Sequence, residues 1–336
     1  METLNPKNII SQARQRLMGR NTKNLTMLYA GVSAVVSLVI IALQLLLAKG
    51  IGNTGGLSGM ATRSILETGQ LVLEWANALL LPFWNLGFLY LSLLWARGKA
   101  TEQRDLLTGF RRFGPYLGLT LNRLMLTFAV MILCMNVSSI LFMLTPASAG
   151  IMELMGSYSN TEELYDYLYT LDTAQLTGML RSMVPLLITC FLVGSALLIP
   201  LMYRFRMAEF VILDEPRARG LSSMILSAAM MRRHRWELFR LDLRFWWYYG
   251  LKYLCALLLY ADTLLAIAGV ALPVTGDTAY LLTCCLYMVG IFGVEVAFRP
   301  RVQTAYACAF EQLKAMSPMQ IPVMPPKDQN TPWNEE

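Results

Sequence analysis

Six stretches of this sequence are long and apolar enough to cross a bilayer, and they limit what the chain can fold into more than any motif does. They cover residues 25–48, 70–96, 117–144, 183–203, 245–271 and 278–298. A spanning helix takes about 20 residues, and inside hydrocarbon each backbone polar group must bond within its own segment. The expected fold is therefore all-α: a polytopic integral membrane protein, a six-transmembrane-helix bundle. A single membrane domain would cover 1–316, followed by a Pro-rich disordered tail over 317–336. Composition agrees. Only 15% of the residues are charged and 56% are hydrophobic, whereas a soluble protein carries about 25% charged residues. Lys7, Arg14, Arg16, Arg20 and Lys23 precede the first run. That run exceeds the roughly 7–15 apolar residues of a signal peptide, so it reads as a retained span.

Basic residues orient the bundle. The N-terminal segment, the 97–116 and 204–244 loops and the C-terminal tail hold 23 of the 28 Lys and Arg, and the opposite side holds only Lys49, Arg63 and Arg181. By the positive-inside rule both termini are expected on the cytoplasmic side of the membrane. The net charge of +6 is then the residue of a basic inner face, which suits anionic lipid headgroups, each nearby cation contributing about 1 kcal/mol. Nucleic acid is not needed to explain it.

Two segments outside the spans carry their own patterns. On the outer side, residues 145–182 form a long connection. Ser159, Asn160 and Thr161 precede Glu162 and Glu163, a plausible helix start, and Leu164, Leu168, Leu171, Leu176, Met179 and Leu180 recur at helical spacing. On the inner side, Leu221, Met224, Ile225, Ala228 and Met231 make the apolar face of a helix too short to span. It is expected to lie in the interface above an arginine-rich foot of Arg232, Arg233, Arg235, Arg240 and Arg244 that contacts lipid headgroups. Phe245 to Tyr249 are the aromatics usual at that depth.

Several chemistries are excluded. His234 is the sole histidine and sits in the arginine cluster, which removes zinc hydrolase motifs and His-based triads. Cys134, Cys190, Cys255, Cys284, Cys285 and Cys308 include no CxxC pair, so neither a metal site nor a disulfide framework is indicated. No phosphate-binding or dinucleotide loop is present. Catalytic residues, metals and cofactors are accordingly all expected to be none.

The residues that invite a function are polar groups inside the runs: Glu74, Asn77, Asn85, Arg123, Lys252, Asp262 and Glu295. Each charge costs about 2.5–3.5 kcal/mol at a helix centre and so calls for a partner or a cavity. Span two aligns Glu74, Asn77, Asn85 and Ser92 on one face; span three aligns Thr120, Arg123, Thr127, Cys134 and Ser138; span five aligns Tyr248, Lys252, Cys255 and Asp262. Glu295 is expected to pair with Arg123 or Lys252. The stripes read either as interhelical packing or as a polar cavity.

From Tyr203-Arg204-Phe205-Arg206-Met207-Ala208, through Ile212-Leu213-Asp214-Glu215-Pro216, to Trp236-Glu237-Leu238-Phe239-Arg240-Leu241, the chain resembles bacterial polytopic membrane proteins grouped as domain of unknown function 975. Leu106-Leu107-Thr108-Gly109-Phe110 and Pro300, Thr304, Ala305 and Phe310 are similar to it as well. Two departures are a missing Gly-Lys pair near Arg232-Arg233 and Arg301 where an aromatic is common. The resemblance implies a bacterial cytoplasmic-membrane protein and transfers no catalytic residue. The leading expectation is a non-enzymatic protein acting through anionic lipid or protein-partner contacts. A small-solute or proton-coupled transporter and an intramembrane lipid-modifying enzyme are the alternatives.

Overall fold

A computed structural model of the chain describes residues 4–19, 22–52, 59–144, 173–260 and 277–316. All elements among the described residues are helical. In chain order they are α1 (Pro6–Leu17), α2 (Thr22–Gly52), α3 (Gly59–Ala96), α4 (Thr108–Arg111), α5 (Phe113–Met143) and α6 (Thr173–Arg204), then α7 (Ala208–Asp214), α8 (Gly220–Met230), α9 (Arg235–Arg244), α10 (Trp246–Leu257) and α11 (Asp277–Met316). Single 3-10 turns occupy Gln103–Leu107 and Leu258–Tyr260. Among the described residues, five segments are long and apolar enough to cross a membrane: Thr22–Leu47, Ser64–Ala96, Phe113–Met143, Leu187–Asp214 and Leu282–Met316. The expected run at 245–271 is described only to Tyr260. The outer-loop positions 159–171 and the tail from 317 lie outside the described residues, whereas Leu176, Met179 and Leu180 fall within α6.

The chain divides into two units. The first combines Met1–Leu117 with Met207–Glu336, and the second is Gly118–Arg206. In the first unit α11 packs against α1, α2, α3 and α10. At its centre Tyr29 of α2 lies parallel to Trp84 and tilted against Phe88, with ring centroids 5.8 and 4.7 Å apart. The Trp84 indole N–H donates to the Tyr29 carbonyl at 3.1 Å. Trp95, Phe88, Leu91 and Leu106 complete this core, all but excluded from the surface.

Glycine sets how closely the segment after α3 can approach. A Cβ on Gly87 would meet the Leu106 carbonyl oxygen at 1.8 Å, and one on Gly109 would meet the Phe83 carbonyl oxygen at 2.0 Å. Both obstacles are backbone, so neither position has room for a side chain. The contact brings Phe83 onto Phe113 and Tyr116 at 4.5 and 5.2 Å. α3 itself ends on Gly98 at φ 75°. The Lys99 amide bonds the Leu94 carbonyl and the Gly98 amide bonds that of Trp95, the pattern of a left-handed glycine cap.

The short helices form a cap with a core of its own. α1 starts at Asn5, whose side chain accepts from the Lys7 amide, with Pro6 in the first turn, where its missing N–H costs nothing. Its buried Ile9 and Ala13 stand one turn apart, and α1 packs on α11. The alanines Ala305, Ala307 and Ala309, with Phe310 and Leu313, line the buried side of α11. Val211, Ile212, Met231, Leu238 and Leu241 are buried as well. Each large side chain removed from water contributes about 1.5–3 kcal/mol. Within α8 the expected apolar face is divided. Met224 and, just past the helix end, Met231 are buried with Ser223 and Ser227, while Leu221 and Ile225 stay 61% exposed. The Ser227 hydroxyl accepts from the Met207 amide at 3.1 Å, and that bond holds α8 against α7.

The second unit holds most of α5 together with α6. Leu119, Cys134, Ser138 and Phe142 are its buried side chains, while Phe128, Leu187 and Phe191 point outward. A Cβ on Gly194 would stand 4.0 Å from the Cys134 Sγ, and the Cys190 and Met135 sulfurs are 4.0 Å apart. Arg123 donates to the Phe205 carbonyl at 2.7 Å.

Candidate functional site

Within the first unit, α2, α3, the first turn of α5, α10 and α11 surround an open-sided cavity of about 490 Å³. Helical spacing brings its polar groups together. Ser33 and Ser37 lie one turn apart on α2, and Glu295 and Arg299 one turn apart on α11. Asn85 comes from α3, Tyr116 from α5, Lys252 from α10 and Tyr287 from α11. Ala30, Ala34, Leu81, Met288, Ile291 and Phe292 supply the apolar wall.

Glu295 is the hub. It is 6% exposed; Arg299 Nη1 reaches its Oε2 at 2.5 Å and Lys252 Nζ its Oε1 at 2.7 Å. The Tyr248 hydroxyl donates to the same Oε1 at 3.2 Å. Arg299 donates a further bond to the Asn85 side-chain oxygen. Its guanidinium lies 4.4 Å from the Tyr29 ring centroid and 5.0 Å from that of Phe88. A desolvated cation held on two aromatic faces gains about 2 kcal/mol or more from the ring quadrupoles. Arg299 Nε is nonetheless buried with no hydrogen-bond partner among the described residues. Lys252, by contrast, keeps 35% of its side chain exposed.

The sequence brought out Asn85, Lys252 and Glu295, and these three meet here. Of the two partners expected for Glu295, Lys252 is the one it has. Arg123 belongs to the second unit, where it bonds Phe205. Glu74 is exposed on α3, Asn77 buries an amide oxygen without a hydrogen-bond partner among the described residues, and Asp262 lies outside the described residues. Arg299 counts in the sequence only among the basic residues after the last run, which ends at 298. Its spacing of four from Glu295, which sets both on one helix face, is the signal that could have found it.

A second charged cluster ties the cap. Asp214, at the end of α7, accepts from Arg97 and from Lys314 of α11, and Arg97 also reaches Glu311 at 2.6 Å. Burial works against the charge on Arg97, but the hydrogen bonds and charges of Asp214 and Glu311 outweigh it and raise its pKa. Tyr306 donates to Asp242 and lies 3.2 Å from the Tyr249 hydroxyl. His234 contacts Glu237 at 2.7 Å, whose Oε2 also accepts the Leu4 amide.

The arginine foot is largely outward-facing. Arg232, Arg233, Arg240 and Arg244 are exposed, Arg235 is half-buried, and Arg240 stacks 5.7 Å over the Trp236 ring. Trp236, Leu243 and Trp246 are at least 59% exposed beside them. Compared with family models, curated proteins and solved structures, the chain matches none of them.

Proposed function

We propose that the chain is a six-span protein of a bacterial cytoplasmic membrane, with both termini on the cytoplasmic side, resembling the family of domain of unknown function 975. In this reading it is non-enzymatic and acts through contacts to anionic lipid headgroups or to a protein partner at its basic face. The observation that carries it is the foot on α8–α10. Exposed arginines alternate there with exposed Trp236, Leu243, Trp246, Leu221 and Ile225. Side chains of that pairing suit an interface with anionic headgroups above acyl chains. Cap helices braced by Asp214 and Glu311 supply a fixed platform for them.

The test compares the full chain with a variant carrying Arg232→Gln, Arg233→Gln, Arg240→Gln and Arg244→Gln, reconstituted in vesicles with and without phosphatidylglycerol. The parent is expected to gain thermal stability from the anionic lipid and the variant to lose that gain. Equal gains would refute the lipid role of the foot. Cysteine-accessibility mapping from either side tests the six crossings and the orientation separately. A second reading, transport of a small solute, is favoured by the open cavity around Lys252 and Glu295.

A further inference from the structure

We infer that the cavity lined by α2, α3, α10 and α11 is a binding site for an amphiphile with one anionic head, carboxylate or phosphate, whose head pairs with Lys252. Charge bookkeeping leads there. Among the described residues that line it, Arg299 and Lys252 bring two positive charges into the cavity and Glu295 returns one negative charge. Both Glu295 oxygens are already engaged, Oε2 by Arg299 and Oε1 by Lys252 and Tyr248, so the carboxylate has little capacity for more. Arg299 is enclosed, 8% exposed and packed against the adjacent Tyr29 and Phe88 rings. The surplus positive charge therefore presents itself at Lys252, which has three N–H donors, has given one to Glu295, and faces the open space.

The surroundings select the rest of the ligand. A cation would meet net positive charge, and a neutral molecule would leave the surplus unbalanced in an apolar setting. Ala34, Leu81, Ile291 and Phe292 also line the cavity and give it apolar surface for an acyl chain rather than for a hydrated ion. The volume of about 490 Å³ falls among ordinary small-molecule sites. This inference rests on the membrane reading above for its source of ligand, but its test is a binding measurement independent of topology and of the foot.

The full chain in a nonionic detergent is titrated with radiolabelled palmitate, with hexadecanol as the uncharged competitor of equal length. Palmitate is expected to bind at one site and hexadecanol to displace it poorly. Lys252→Gln should weaken palmitate about tenfold or more, the scale of one charge-assisted hydrogen bond, and Lys252→Arg should restore it. If Lys252→Gln does not fold, the palmitate preference over hexadecanol and the Lys252→Arg affinity decide. Displacement by dioleoylphosphatidylglycerol would identify a membrane lipid as the source of the head, and displacement by inorganic phosphate a soluble anion. Hexadecanol competing as well as palmitate, or a folded Lys252→Gln that binds palmitate like the parent, would overturn the site.

Discussion

The two units are built from helices of similar hydropathy and are stabilised in different ways. In the first, α2, α3 and α11 bury an aromatic cluster around Arg299, and the cap adds a water-type core with its own ion pairs. In the second, α5 and α6 turn most of their described large side chains outward, and only Leu119, Cys134, Ser138 and Phe142 are buried among its described residues. Hydropathy alone does not separate these cases. An apolar helix in a bilayer is satisfied by lipid, so burial within the protein reflects specific small residues, rings and charges rather than apolarity itself.

That contrast can be broken by substitution. Glu295→Leu should have the largest effect, about 3–5 kcal/mol of destabilisation measured by thermal melting, because it leaves a buried arginine without its counter-ion. Next comes Gly109→Ala, expected to cost about 3 kcal/mol since its Cβ collides with backbone that has no rotamer to yield. A normal melting temperature for either would show that the first unit is looser than its packing indicates. Asp214→Asn should cost about 1–2 kcal/mol, more in low salt than in high, since its partners Arg97 and Lys314 are partly exposed. Smallest, in the second unit, Phe191→Ala should change the melting temperature little, about 0.5 kcal/mol or less. A loss there as large as in the core would assign Phe191 a packed partner.

How far the sequence could be read differed by residue. Apolar runs marked the five described segments that are long and apolar enough to cross a membrane, because hydrocarbon leaves the backbone so few alternatives. Lys252 and Glu295 stood out for the same reason, as charges with nowhere to hide. Arg299 did not, because Arg299, Pro300 and Arg301 together end the apolar run at 298 even though the helix continues to Met316. The Asp214–Arg97–Lys314 cluster joins residues up to 217 positions apart in sequence, between segments that counted only as basic loops, and long-range pairing leaves no local pattern. Gly87 and Gly109 look like ordinary glycines until the carbonyls opposite them are known. Likewise, Glu74 shares a helical stripe with Asn85 yet faces outward, since a stripe crossing several turns need not stay on one interface as the neighbours change.

Pro300 sits inside α11, one residue after Arg299. It has no N–H for the Val296 carbonyl, so the hydrogen-bond ladder of the longest helix lacks a rung beside the charged hub. From there to Lys314 the helix runs about 21 Å at 1.5 Å per residue, and Glu311 and Lys314 near its far end hold the cap. α11 thus carries both charged clusters on one helix, Glu295 and Arg299 just before Pro300 and Glu311 and Lys314 beyond it, so the residues that line the cavity and those that seat the cap share a single backbone.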